Sequence, residues 1–144
     1  DSEEKKAIRR KAIDFIRAHG SEPFIRQSAP NLFSPLTREH RPDVVESMIV
    51  KYAAISPDAL IAYYEAMIAR PDRTDVLRQF AGPVFFIIGS DDTVVPVQQA
   101  LEQCYLPSIS HLHLIPGSGH LAMLEDPDRS NRLLLDLINF VYPS

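Results

Sequence analysis

The sequence predicts an α/β fold in which a helical amino-terminal block precedes a strand–helix–strand unit with parallel strands. Three observations carry this. Pro83 opens an unbroken apolar run, Val84 to Ile88, with two aromatic and three β-branched residues, which reads as a strand buried on both faces. A second strand reads from Ser110 to Ile115. Between them an amphipathic segment starts at Pro96 and runs through Leu101, Cys104 and Leu106, a helix with proline near its first turn. That order is a βαβ crossover, which joins parallel strands. Residues 1 to 80, by contrast, show helical spacing and no strand pattern.

Within that block, residues 1 to 20 form the first predicted helix. Asp1 or Ser2 can cap it, Glu3 and Glu4 suit its positive end, and Gly20 stops it. Ile8, Ala12, Ile13, Phe15 and Ile16 make its apolar stripe. A turn is expected around Pro23 to Arg26 and an irregular stretch from Asn31 to Arg41. Pro42 starts the next helix, with Val44, Val45, Met48, Ile49 and Tyr52 inward. Ser56-Pro57-Asp58 signals another, running to about Arg70 with Leu60, Ile61, Tyr64, Met67 and Ile68 at helical spacing. Pro71 ends it, and Thr74 is expected to cap a short turn, Asp75 to Phe80.

Beyond the first strand, Gly89 is followed by two carboxylates, Asp91 and Asp92. After the second strand a loop, Pro116 to Gly119, delivers His120. Chemistry in such units collects at the carboxyl ends of parallel strands, where Asp92 and His120 both fall. Asp126-Pro127 then starts a last helix whose Leu133, Leu134, Leu137, Ile138 and Val141 face the sheet.

Composition narrows the function classes. A chain of 144 residues with 45% apolar content is ordinary for one globular domain. A net charge of −4 argues against a general nucleic-acid or anionic-membrane surface. The basic run Lys5, Lys6, Arg9, Arg10, Lys11 is balanced by nearby acids and reads as a solvated helix face. No apolar run approaches the ~20 residues of a membrane span. The single cysteine, Cys104, excludes an intramolecular disulfide and suits a reducing, cytoplasmic compartment.

Three stretches taken together, G-S-D-D-T-V-V-P at 89–96, S-G-H at 118–120 and E-D-P at 125–127, resemble the carboxyl-terminal half of an α/β-hydrolase. The family pattern is Gly-x-x-Asp-x-x-Val-Pro after one strand, then Gly-His and Glu-x-Pro after the next. Gly89, Asp92, Val95, Pro96, Gly119, His120, Glu125 and Pro127 match it. The resemblance implies a helical cap (lid) over residues 1–80 and the carboxyl-terminal part of the core over 81–144. It implies a hydrolase of an ester or similar carbonyl substrate, needing no cofactor or metal. His120 would be the general base and Asp92 would hold its ring in the working tautomer.

The family's nucleophile lies on a Gly-x-Ser-x-Gly turn earlier in the fold. None of the glycines at 20, 82, 89, 117 and 119 brackets such a residue, and Gly117-Ser118-Gly119 is too tight. A two-strand parallel sheet also lacks the neighbours it needs. The expectation is therefore a fragment, or one chain of a nicked enzyme, whose partners are a small-molecule substrate and a missing upstream half. A lyase on the same triad and a non-catalytic binding protein are the alternatives.

Several residues have ordinary readings. Asp91 could be the acid, but the Gly-x-x-Asp count favours Asp92. His111 and His113 share one strand face and could ligate metal, yet with Leu112 and Leu114 inward they read as the outer face. His19 and His40 carry no assigned role. Phe33, Tyr63, Tyr64 and Met67 are candidates for a substrate pocket, though core packing explains such spacings as well.

Overall fold

The computed structural model describes residues 2–142. In chain order the elements are α1 (Glu3–His19), α2 (Ser21–Ser28), a 3-10 turn (Ala29–Leu32), α3 (Pro35–His40), α4 (Pro42–Ala53), α5 (Pro57–Ala69), α6 (Thr74–Gln79), β1 (Val84–Gly89), α7 (Val97–Cys104), β2 (Ser110–Ile115), α8 (Ala122–Glu125) and α9 (Pro127–Val141). They form two compact units. One holds the residues through Pro30 together with Glu46–Asp72, the other Asn31–Val45 together with the residues from Arg73 onward. The segment 31–45 thus folds with the strands, not with the helices that flank it in sequence.

The first unit is helical. Ser2 caps α1, its side chain accepting from the Lys5 N–H at 3.2 Å. Asp1, the other candidate cap, lies outside the described residues. Gly20 ends α1 at φ 84°, a left-handed conformation that glycine adopts without a Cβ penalty. Ile13 and Ile16 are buried and join Ile25, Ala29 and Ile49 in the core, whereas Ile8 at the amino end of the expected stripe is 61% exposed. Helix α1 packs on α5, and a Phe15, Phe24, Tyr64 row of rings lines the same unit with centroids 6.1 and 5.5 Å apart. On α5 no residue is fully buried. Tyr52, expected inward on α4, is exposed.

Two expectations for this region give way. Around Pro23 the chain is helical, not a turn. Pro23 sits in the first turn of α2, where backbone N–H groups have no intrahelical acceptor and the missing one costs nothing. The stretch 31–41 is also ordered. Ser34 caps α3 by accepting from the Thr37 N–H at 3.1 Å, and Pro35 occupies the first helical position. This is the same Ser-Pro signal that opens α5. Thr74, expected as a cap, is instead the first residue of α6.

In the second unit β1 and β2 pair in parallel, Val84 with Ser110 through Gly89 with Ile115. The register puts Phe86, Ile88, Leu112 and Leu114 on one face and Phe85, Ile87, His111 and His113 on the other. Helix α7 covers the first face over β1, where Ala100 and Cys104 pack on Ile88. Helix α9 covers the second, with Phe140 edge-on to Phe85 at 5.4 Å and to His111 at 5.0 Å. Strand β1 is partly buried along most of its length and fully buried only at Ile88 and Gly89.

The facing of β2 is the reverse of the expectation. Leu112 and Leu114 are exposed, while His111 stacks on Phe85 with centroids 4.4 Å apart and rings within 8° of parallel. Strand alternation sets which residues share a face, but only the landing place of α9 decides which face is covered. Imidazole is flat and stacks on phenyl, so a histidine serves there as an aromatic packing residue.

Candidate functional site

The site is built where the two strands end. Gly89 closes β1 directly against the loop after β2. A Cβ at Gly89 would overlap the carbonyl oxygens of Gly119 and Ser118 and lie 2.8 Å from the Ser118 carbonyl carbon, so only glycine lets the loops meet. Backbone bonds then join them. The Ser90 N–H donates to the Ile115 carbonyl at 3.0 Å and the Asp91 N–H to the Ser118 carbonyl at 2.8 Å. In return the Gly117 N–H donates to Ser90 Oγ at 2.8 Å. Gly117 turns the loop at φ 73°, again the left-handed region.

Within this frame Asp92 is held by its own turn. Its Oδ1 accepts from the N–H groups of Val94 and Val95 at 2.8 and 2.9 Å, an Asx-type arrangement at the entry to α7. That occupies one oxygen and aims the other. Oδ2 lies 2.8 Å from His120 Nδ1, across 28 positions of sequence. The Asp92 side chain is 9% exposed and that of His120 38%, so a sheltered carboxylate backs a ring that solvent reaches. A carboxylate accepts from Nδ1–H, and in the neutral ring held this way Nε2 carries the lone pair. Asp91 points elsewhere, its carboxylate accepting from Ser90 Oγ at 3.0 Å.

His120 is fixed through its backbone. Its N–H donates to the Leu32 carbonyl at 2.9 Å. The preceding Gly119 N–H donates to Glu125 Oε1 at 2.8 Å, and Glu125 Oε2 accepts from the Ser34 N–H, also at 2.8 Å. Thr93, one residue past Asp92, donates through Oγ1 to the Asn31 carbonyl at 3.1 Å. Residues 31–34 therefore strap both loops. The sequence marked Glu125 as part of a pattern but not its contacts, and it missed the strap, because that segment read as irregular.

A cavity of about 390 Å³ adjoins the pair, lined by Asp92 and His120 together with Ile88, Val95, Ala122, Met123 and Leu134 among others. Its walls are mostly apolar, as small-molecule sites usually are. The residues expected to line a pocket do not take part in it. Phe33 is core at 2% exposure, Tyr63 is exposed, and Tyr64 packs edge-on to Phe24 in the helical unit. Among the described residues no three His, Cys, Asp or Glu side chains gather as a metal site, and no helix is long and apolar enough to cross a membrane.

No protein-family model matches the chain, and no curated protein matches it. Solved structures do. An esterase from Thermogutta terrifontis, in a malate-bound form, superposes with a TM-score of 0.90 at 26% identity, over 99% of this chain and 52% of its own. An esterase from Exiguobacterium antarcticum gives 0.79 at 17% identity, over 93% of this chain and 48% of its own. The enol-lactonase from Burkholderia xenovorans LB400 gives 0.80 at 16% identity, over 90% and 49%. The chain spans about half the length of these structures.

Proposed function

We propose that this chain, whose fold is that of the carboxyl-terminal half of an α/β-hydrolase, supplies the acid and the histidine of a nucleophile–His–Asp triad acting on an ester or similar carbonyl compound. One observation carries the reading. Asp92 and His120 meet at 2.8 Å beyond the carboxyl ends of adjacent parallel strands, with Nδ1 engaged and Nε2 left as the base. The esterase and lactonase activities named for structural neighbours support the substrate class.

In this scheme Nε2 takes the proton of the nucleophile as it attacks the carbonyl carbon, and later returns it to the leaving oxygen. Asp92 holds the ring and stabilises the imidazolium formed between those steps. The nucleophile and the oxyanion donors come from a segment outside these 144 residues, about as long as the chain itself. Helices α1, α2 and α5 belong to the part assigned to the cap.

The test is hydrolysis of a short-chain aryl ester by the full-length protein. His120→Ala removes the base and is expected to cut the rate by several orders of magnitude. Asp92→Asn should lower it by ~10⁴, since the wrong tautomer is then held, while Asp91→Asn should do far less. Near-normal turnover in His120→Ala would end the triad reading, and equal losses in the two aspartate variants would move the acid to Asp91. A wild type inert toward esters shifts weight to a lyase or a binding protein.

A further inference from the structure

Among the described residues Glu125 is the one buried charged residue, 8% exposed, and each of its carboxylate oxygens receives one backbone N–H. The two donors belong to different segments: Gly119, next to the histidine, and Ser34, on the strap. Arg41 adds a third tie by donating from Nη1 to the Glu125 carbonyl at 2.8 Å. The segments it joins are as close as backbone allows, since a Cβ on Gly119 would stand 2.7 Å from the Ser34 nitrogen and 2.9 Å from the Phe33 carbonyl carbon. Such a contact leaves room for one bridging group with two acceptors and no donor, which is a carboxylate.

We infer that Glu125 is a positioning residue for the base: its carboxylate clamps Gly119 to Ser34 and so sets the His120 ring at hydrogen-bond distance from Asp92. This rests on the triad reading above. The physical case is one of geometry. His120 Nδ1 and Asp92 Oδ2 sit on separate loops, and the Asp92 side is already fixed by the Val94 and Val95 N–H groups. Ser118 is tied to the Asp91 N–H, so the free variable is the path of residues 119–120, which the Glu125 bridge and the His120 N–H to Leu32 carbonyl bond determine. Neutral glutamine has the same shape, but its NH2 faces one of the two N–H donors. The bridge then opens on one side.

The experiment uses the full-length protein with Glu125→Gln, Glu125→Asp, Asp92→Asn and the Glu125→Gln/Asp92→Asn double variant. Thermal unfolding first establishes that each is folded. In Glu125→Gln, kcat for the aryl ester is expected to fall by ~10², the cost of a misplacement near 1 Å, with KM little changed. On the Asp92→Asn background the same change should cost less than about threefold, because the pair it aligns is already broken. The downfield proton resonance of His120 Nδ1–H, read by NMR without reference to turnover, should be lost or broadened in Glu125→Gln. Glu125→Asp keeps the charge but lacks reach, so it should fall between.

A folded Glu125→Gln with unchanged kcat and an unchanged Nδ1–H resonance overturns the inference. Equal losses on both backgrounds with that resonance intact do so too, since they mark a purely structural residue. If Glu125→Gln does not fold, Glu125→Asp decides by the same two readings. Retained activity in His120→Ala would refute the triad and not the clamp, which the resonance still tests.

Discussion

Gly89→Ala is the sharpest probe of how the strand ends build the site. The added methyl meets backbone, not movable side chain: it would overlap the carbonyl oxygens of Gly119 and Ser118 and lie 2.8 Å from the Ser118 carbonyl carbon. Carbon atoms in contact sit about 3.5–4.0 Å apart, so the histidine loop must retreat by at least about 0.7 Å. That alone stretches the 2.8 Å contact between Asp92 and His120 to the limit of a hydrogen bond. The retreat also strains the Asp91 N–H to Ser118 carbonyl bond at 2.8 Å.

Overpacking of this kind costs about 1–3 kcal/mol of stability, and contact with backbone atoms that cannot rotate away puts it at the upper end. A misplacement near 1 Å costs about 10² in rate. The assays are urea unfolding and aryl-ester hydrolysis by the full-length protein. A variant within about 0.5 kcal/mol of wild type, which is the range of a neutral surface change, would mean the loops do not meet as described. Loss of stability with full kcat would show that the Asp92–His120 distance does not depend on this contact.

Two further outcomes are expected. His111 Nε2 is buried without a hydrogen-bond partner among the described residues, in a ring that stacks on Phe85 and meets Phe140 edge-on. His111→Phe should therefore raise stability by about 1 kcal/mol in urea unfolding, and a loss of that size would reveal a partner for the nitrogen. Burial raises the pKa of the Cys104 thiol above its ordinary range. Its contribution is thus present at pH below the unfolded thiol's titration and is lost as pH rises toward the raised value. Cys104→Ala should flatten the alkaline decline in stability. Tyr64, whose pKa burial also raises, is common to wild type and variant; superimposable pH profiles would refute the assignment to Cys104.

The parts of this fold legible in the sequence are those set by local physics. An apolar β-branched run, a proline-opened amphipathic helix and a second short strand leave little choice but a βαβ unit, and β1, α7 and β2 stand where spacing put them. Asp92 and His120 were nameable because both follow strands that crossover topology forces to be parallel, so their loops open at the same end. Ser34-Pro35 was equally readable, being the same start signal as Ser56-Pro57, but it lay in a polar stretch without helical periodicity.

Tertiary structure alone decided the rest. Alternation along β2 pairs Leu112 with Leu114 and His111 with His113, yet which pair is covered depends on where α9 lands, a contact between residues far apart in sequence. The partners of Glu125 lie 6 and 91 positions away, and no local preference specifies them. Residues 31–34 bind the loops that carry Asp92 and His120 only because the chain passes them in space. Local sequence carries backbone preferences and faces; long-range contacts decide which face is buried and which loop is held, because burial and hydrogen-bond satisfaction are properties of the assembled fold.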